Sequence, residues 1–372
     1  MENSLYIHIP FCSKRCYYCD FYSTIYQRDL AEALINVFDR QIENFDSVFD
    51  TVYIGGGTPT VLTLDLLERL LLKLKSVTRE VKEFTVEANP ESLDEDKISL
   101  FLDHGVDRIS IGCQSFSNLK LNFLGRAHSV KQAISSIEKA KKKGFDNISI
   151  DLIYGLPIES YKLWQEDFVK ATKFPVTHIS AYMLTYEKGT CLSRSLEAGK
   201  ILSLSSDKVA LMYKQMIDYF TKSKFFQYEI SNFSKKGFKA IHNSRYWENQ
   251  SYIGLGPSAS SYFSGIRRRN ISSLPKYIKA VKENTKVWEY SEKLSLVASA
   301  KETAALKIRT IEGIEFNWFR QKTGFDFLKL EKEPLAALFN QKLVKWAKGG
   351  KKAIKLTRKG FLFADTVSAT FL

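Results

Sequence analysis

The chain has 372 residues, 44% of them hydrophobic, and a formal net charge of +14. This length and apolar content predict two or three domains around a substantial core. The sequence shows neither a signal segment nor a run near the ~18 apolar residues of a membrane span, so we expect a cytoplasmic protein with reduced thiols. Five cysteines in such a chain exclude a disulfide scaffold. The positive charge favours an anionic partner: nucleic acid, a membrane surface or a polycarboxylate ligand.

Apolar, β-rich runs alternate with helical patterns from residue 4 to about 185. The six runs are LYIHIP, TVYIGG, EFTVEAN, RISIGCQS, NISIDLIYG and HISAYML, and helical spacing is clearest at 62 to 76 and 131 to 143. Alternation of this kind predicts an α/β fold with a parallel sheet, here an incomplete (β/α)6 barrel rather than a closed eight-stranded one. Ligands of such sheets gather at the carboxyl ends of the strands, so we expect the chemistry there.

The rest of the chain divides into two further regions. We expect the partial barrel to cover 1–230, an aromatic connecting region to cover 231–291, and a separate C-terminal module to cover 292–372. Within the last region the pattern is helix, helix and then a strand-like hairpin. That order predicts a winged-helix-like α+β module.

Three cysteines stand in the run CSKRCYYC, directly after the first predicted strand. Cys12, Cys16 and Cys19 can bind three irons of a 4Fe-4S cluster and leave the fourth iron open to a small molecule. A structural zinc site would need a fourth ligand, and only His8 lies nearby. A ferredoxin-type cluster needs four cysteines, whereas Cys113 lies far along the chain, as does a fifth cysteine. The open cluster is therefore favoured, with zinc and a plain loop as alternatives.

Polar residues and glycines follow several other predicted strands. The run GGGTPT follows the second strand, and three glycines let a backbone approach an amino-acid or phosphate group closely, although glycine-rich turns are also common for steric reasons. Glu87 closes the third strand and has an alternative as a helix cap, while Gln114 ends the fourth. Asp151 is costly among its apolar neighbours unless it is paired or faces a site. Arg126 offers a planar donor for a carboxylate.

These motifs together resemble the radical S-adenosylmethionine (SAM) superfamily and, within it, the oxygen-independent coproporphyrinogen III oxidase-like family. The matching runs are YIHIPFCSKRCYYCDF, GGGTPT, GVDRISIGCQSF, LGRAH, DLIYGLP, YEISNF and HNSRYW. The resemblance implies that the three cysteines bind a 4Fe-4S cluster whose open iron takes the amino and carboxylate groups of SAM. It also implies a SAM site formed by Tyr6, Tyr18, Gly56, Gly57, Thr58, Glu87, Gln114, Arg126 and Asp151. Tyr18 would pack on adenine, or else fill the core.

The heme chaperone branch of this family gives the better match. Phe21 stands where the decarboxylating oxidases have a further cysteine, and HNSRYW is associated in that branch with heme binding. The resemblance assigns heme contacts to His242, Tyr246 and Trp247, although a histidine beside aromatics is often a packed core residue. Ser260 replaces a histidine common in relatives, which leaves a second heme contact open.

Three functions follow from these features. The preferred one is a heme chaperone that carries a 4Fe-4S cluster and SAM, receives electrons from a donor, and transfers heme to acceptor hemoproteins such as membrane respiratory enzymes. The second is oxygen-independent coproporphyrinogen III oxidase activity. The third, nucleic-acid binding, rests on the C-terminal module and the run Arg267 to Arg269, without the aromatic interleaving expected for single strands. Dimerisation and peripheral contact with the inner membrane are left open.

Overall fold

The computed structural model describes residues 4–45, 48–347, 350 and 352–372, so the first three residues of the predicted barrel region lie outside it. The first half contains eight strands and eight helices. The strands are β1 (Ser4–Ile9), β2 (Phe11–Cys12), β3 (Thr24–Ile25), β4 (Phe49–Gly56), β5 (Thr78–Ala88), β6 (Arg108–Gln114), β7 (Asn147–Tyr154) and β8 (His178–Met183). The helices are α1 (Arg28–Glu43), α2 (Leu64–Leu74), α3 (Glu95–Asp103), α4 (Asn118–Leu124), α5 (Val130–Lys143), α6 (Tyr161–Ala171), α7 (Cys191–Glu197) and α8 (Ser206–Lys222).

The six predicted strands form the parallel centre of the main sheet, in the order β1-β4-β5-β6-β7-β8. Their β-branched residues are buried on both faces, as expected where helices cover a parallel sheet. Helix α2 shows the complementary pattern, because five of its leucines face this core. The predicted α/β class and partial barrel are confirmed.

Both edges of the parallel sheet are extended by strands that the sequence pattern did not predict. The added elements are β9 (Phe226–Gln227), β10 (Asn232–Ser234), α9 (Ile241–Trp247), β11 (Tyr252–Leu255), β12 (Ser260–Phe263), β13 (Ile266–Asn270), α10 (Leu274–Lys282) and β14 (Trp288–Lys293). Strand β11 pairs in parallel with β1, and β12, β13 and β14 continue outward in antiparallel order. On the other side β10 and β9 follow β8. The result is one twelve-stranded mixed sheet.

The C-terminal part has its own apolar core. Its elements are α11 (Leu296–Lys307), β15 (Ile314–Glu315), α12 (Phe316–Thr323), α13 (Phe327–Leu330), α14 (Lys332–Asn340), β16 (Val344–Trp346), β17 (Ala353–Leu356), α15 (Arg358–Leu362) and α16 (Ala364–Ala369). Strands β15, β17 and β16 make a small antiparallel sheet, and buried residues between Ala300 and Phe371 pack as one cluster. Helices followed by a hairpin agree with the expected winged-helix-like α+β arrangement. Within the described residues, no helix is both long and apolar enough to cross a bilayer.

Candidate functional site

The three cysteines of CSKRCYYC lie in a loop at the carboxyl end of β1, called the cluster loop after the 4Fe-4S cluster predicted for it. Cys12 ends the short strand β2, and all three thiols are free and partly exposed. The backbone N–H of Tyr17 donates to the carbonyl of Leu124 at 3.0 Å, which fixes the middle of the loop against α4. The loop is therefore anchored while its thiols stay available.

Burial and mutual proximity disfavour the charged thiolate form of Cys12 and Cys19. Burial, together with the neighbouring Cys16 and Cys12, raises the pKa of Cys19 to about 11. Burial likewise raises the pKa of Cys12. Across the described chain no three potential ligands are gathered closely enough to hold a single metal ion. A cluster does not need that, because each cysteine binds a different iron, and bound iron deprotonates a coordinating thiol.

The glycine turn after β4 lies directly against the cluster loop. A Cβ on Gly57 would stand 2.6 Å from the carbonyl oxygen of Phe11 and 3.0 Å from the sulfur of Cys12, so only glycine fits there. The hydroxyl of Thr58 donates to the same sulfur at 3.7 Å. This turn therefore presents bare backbone beside the first cysteine, and its contact with an amino-acid or phosphate group stays a prediction.

Glu87 belongs to the same strand-end edge and does not cap a helix. Its carboxylate accepts hydrogen bonds from the Tyr53 hydroxyl at 2.6 Å and from the Gly56 N–H at 3.1 Å. Burial raises the pKa of Glu87 to about 7, against the lowering effect of the Tyr53 hydrogen bond. Near neutral pH this carboxyl group can exchange a proton or accept a hydrogen bond from a ligand.

Arg126 connects the cluster loop to the strand ends. Its guanidinium donates to the sulfur of Cys16 at 3.3 Å, to Asn89 Oδ1 at 2.7 Å and to the carbonyl of Gly112 at 3.0 Å. The buried Nε has no partner within the described residues. A guanidinium with an unused donor beside the Cys16 thiol suits a ligand carboxylate.

Gln114 and Asp151 stand on adjacent strands next to this arginine. Gln114 has a φ of 61°, in the left-handed region, where β6 departs from regular pairing with β7. The side chains of Gln114 and Arg126 both pack over Gly112. A Cβ added at Gly112 would stand 3.0 Å from the Gln114 side-chain nitrogen and 3.4 Å from a guanidinium nitrogen of Arg126. Burial raises the pKa of Asp151, while Ser180 and other neighbours lower it.

The hydrogen bond between Tyr6 and His8 was not predicted from the sequence. The His8 Nε2 lies 2.9 Å from the carbonyl of Tyr22 and must donate to it, so Nδ1 accepts from the Tyr6 hydroxyl at 3.0 Å. Burial lowers the pKa of His8, which keeps the ring neutral for this role. His8 thus ties the end of the cluster loop to β1. Alternation along β1, which puts residues two apart on one face, is the signal that could have placed it beside Tyr6.

Tyr18 packs in the core, which was the alternative to a contact with adenine. Its side chain packs against an apolar cluster containing Leu124, Ile153 and Leu156. Burial raises the pKa of its hydroxyl, and Arg126 acts in the opposite direction. Tyr18 therefore fills the core next to Arg126, at the border of the predicted SAM site.

The HNSRYW run lies in helix α9. The ring of His242 is fully buried, with Nδ1 3.0 Å from the Thr51 hydroxyl and Nε2 2.8 Å from the Tyr246 hydroxyl. Burial lowers its pKa to about 3. Trp247 lies under the guanidinium of Arg309, 5.4 Å from the ring centre. In this conformation both nitrogens of His242 are used within the protein.

Tyr246 joins this helix to the cluster side through a cavity of about 780 Å³. The cavity is lined by Tyr6, His8, Arg15, Asp20, Phe21, Tyr22, Ser23, Tyr246, Tyr252, Ser258, Ala259, Ser260 and Ser272. Five of these residues are aromatic, and Phe21 is 64% exposed. The sequence had not connected Arg15, Tyr22 or Tyr252 with the site. Ser260, noted as a departure from relatives, contributes to the wall.

Comparisons with known proteins agree with this arrangement. Residues 6–169 match the radical SAM superfamily. The chain is 38% identical to the heme chaperone HemW of Lactococcus lactis subsp. lactis, covering 100% of this chain and 97% of that protein. It is 31% identical to HemW of Bacillus subtilis, covering 99% of each.

A solved structure shows the same fold over the whole chain. Coproporphyrinogen III oxidase (HemN) from Escherichia coli, described as a radical SAM enzyme, superposes with a TM-score of 0.86 at 20% identity, covering 100% of this chain and 90% of that one. The chain therefore belongs to the radical SAM superfamily and, within it, to the HemW heme chaperone family.

Proposed function

We propose that this protein is a heme chaperone that binds heme beside a 4Fe-4S cluster and SAM and transfers the heme to acceptor hemoproteins, including respiratory ones. The observation that carries the proposal is the 780 Å³ cavity, which extends from the cluster loop to the Tyr246 side of α9. Its volume lies within the usual range for ligand sites, about 300–1,000 Å³. Its aromatic lining suits a flat apolar ring system.

The cluster side provides the groups that SAM requires. The three cysteines would hold the cluster, which when reduced supplies one electron to bound SAM. Arg126, with its unused Nε, would bind the methionyl carboxylate, and Gly56 and Gly57 would accept the close approach of the amino group. Asp151 and Gln114 would take the ribose hydroxyls. Remaining contacts are assigned to Tyr6, Tyr18, Thr58 and Glu87.

The cavity provides the groups that heme requires. Phe21 presents an exposed ring at the cluster side, and Tyr246 and Tyr252 make an aromatic wall with ring centres 4.7 Å apart. Arg15 is the cation in the lining and would pair with a propionate. Trp247 follows Tyr246 at the end of α9 and would extend the heme contact on that side.

His242 contributes to heme binding through Tyr246 in this arrangement. The Thr51 hydroxyl donates to Ser4 at 2.9 Å, so its oxygen accepts from the His242 Nδ1–H. His242 Nε2 then accepts from the Tyr246 hydroxyl and fixes the orientation of that ring. Direct coordination of heme iron by His242 requires that this hydrogen bond be broken.

Heme titration under anaerobic conditions tests the proposal. Protein with a reconstituted cluster should bind one heme per chain, seen as a shifted Soret band. Phe21→Ala and Arg15→Ala should each weaken heme binding by about tenfold, because each removes a contact of roughly 1–2 kcal/mol. His242→Ala should also weaken it by releasing Tyr246.

Matched controls separate the cavity from general surface effects. Phe226→Ala removes another exposed ring, on β9 at the opposite end of the sheet, and Arg358→Ala removes another exposed arginine, which pairs with Asp218 on α8. Both controls should bind heme as the unchanged protein does. Absence of heme binding by the unchanged protein would refute the chaperone proposal. Formation of protoporphyrinogen from coproporphyrinogen III by reduced protein with SAM would favour the oxidase instead.

A further inference from the structure

A buried three-residue ion network lies behind the proposed SAM site. Lys120 on α4 is 0% exposed, and its ammonium contacts the carboxylates of Glu159 and Asp167, the latter at 2.7 Å. The ammonium also stands 5.1 Å from the centre of the Trp164 ring. None of these residues belongs to the motifs that identify the family, and none contacts the cluster loop in the hydrogen bonds described above.

One arm of the network holds the segment that follows β6. Asp167 accepts from the Ser115 hydroxyl at 2.6 Å and from the Phe116 N–H at 2.6 Å. These two residues come directly after Gln114, whose left-handed φ of 61° is costly for a residue with a side chain. The contacts of Asp167 therefore stabilise the backbone that sets the direction of Gln114.

The other arm holds the segment that follows β7. Glu159 accepts from the N–H groups of Gly155 at 2.6 Å and Leu156 at 3.2 Å. Asp151 lies on β7, four residues before that turn. Through Lys120, the turn after Asp151 is thus joined to the turn after Gln114.

Stability alone gives a poor account of this arrangement. Moving three charged groups out of water is expensive, and apolar side chains of similar size often give equal or greater stability at such positions. An ion network does provide defined directions and distances, which matter where two strand ends must keep a fixed separation. The network joins the two strands whose polar residues face the same proposed ligand.

We propose that Lys120, Glu159 and Asp167 are positioning residues that fix Gln114 and Asp151 for the nucleoside half of SAM. The inference rests on the proposed binding of SAM. It predicts a division between the two halves of that cofactor. The methionine half depends on the cluster iron and Arg126, whereas the nucleoside half depends on the strand ends that the network joins.

Binding of SAM and of free methionine to the Lys120→Met protein tests this division. The full chain with a reconstituted cluster is titrated anaerobically with each ligand, and the iron content is measured in parallel. We expect SAM affinity to fall by about tenfold or more, as for other residues that support ligand-contacting groups. Methionine affinity should change less than about twofold, and the iron content should stay the same.

Leu338→Ala provides a control that loosens the protein elsewhere. Leu338 is buried in the C-terminal core, and its truncation should lower the melting temperature without changing either affinity. Asp167→Asn and Glu159→Gln each cut one arm and serve if Lys120→Met does not fold. Equal SAM affinity in these variants, or a parallel loss of SAM and methionine binding, would overturn the inference. Failure of the unchanged protein to bind SAM would instead overturn the proposed cofactor.

Discussion

The strand-end edge near the cysteines and the helix α9 handle their polar groups in opposite ways. At the strand ends, three thiols are free, the Arg126 Nε lacks a partner within the described chain, and burial raises the pKa of Glu87 to about 7. In α9, His242 is bonded through both ring nitrogens, and Arg245 makes two 2.6 Å contacts with Asp50. The first region leaves polar groups available to ligands, whereas His242 and Arg245 hold α9 against the barrel and leave Tyr246 to line the cavity.

Replacing a cluster cysteine should have the largest effect on the receiving region. Cys12→Ala removes one of the three proposed cluster ligands, so we expect the iron content and the visible cluster absorbance to be lost almost completely. Since alanine removes only the sulfur and its long hydrogen bond from Thr58, the melting temperature of the cluster-free protein should change by only a few degrees. Cys191→Ala, at an exposed cysteine, is the control and should retain the cluster.

Removing Arg245 should show how much the contact of α9 with the barrel contributes to stability. Burial would raise the pKa of Asp50, but the hydrogen bond and charge of Arg245 lower it to about 2. Arg245→Met should reduce the free energy of unfolding by about 2–3 kcal/mol, because it leaves a partly buried carboxylate with a weaker partner. Denaturant titration measures this loss. Unchanged stability would contradict the distinction between the two regions.

Exchanging Arg126 for lysine should affect ligand binding more than folding. Lysine keeps the charge but loses the planar donors that reach Cys16, Asn89 and Gly112 together. We expect SAM affinity to fall by roughly 10–100-fold, corresponding to hydrogen bonds of about 1.5–3 kcal/mol to a charged group. Arg28→Lys is the matched control. A variant that binds SAM normally would remove Arg126 from the carboxylate site.

The smallest effect concerns the pH dependence of stability. Burial lowers the pKa of His242 to about 3, so the unfolded chain binds a proton that the folded protein excludes when the pH falls below about 6.5. This group therefore favours folding above pH 6.5 and loses that contribution progressively as the pH decreases toward 3. Between pH 7.5 and 5 its share of the loss is about 2 kcal/mol.

His242→Asn should remove that share. The stability of the variant should decrease less than that of the unchanged protein between pH 7.5 and 5, measured by urea unfolding at each pH. The other buried histidines with lowered pKa values, His8 and His178, are present in both proteins and cancel in the difference. Parallel pH profiles would contradict a neutral, buried His242.

The sequence predicted the six central strands and most of the strand-end residues because their signals are local. Runs of β-branched residues identify strands, and parallel pairing then brings the ends of those strands to one edge. The addition of β11 beside β1 could not be predicted, since the paired residues Ser4 and Tyr252 are separated by most of the chain. The pattern of a strand shows that it is a strand but does not show which distant strand it pairs with.

The environment of His242 illustrates the same limit for the site. Its neighbours in HNSRYW predict a heme contact, yet its Nδ1 partner is Thr51, 191 residues away. The network at Lys120 was missed for a related reason, because a lysine among apolar residues gives no sign that two carboxylates will surround it. Such assignments depend on which strands become neighbours.

The two ends of the twelve-stranded sheet have a consequence for solubility. An unpaired strand edge is a template on which another chain can add. Here one end is β9, only two residues long, and the other is β14, which carries Glu289, Glu292 and Lys293 and is largely exposed. A very short edge and a charged edge both discourage strand addition. The sheet can therefore stay open rather than close into a full barrel, and neither edge strand favours the addition of another chain.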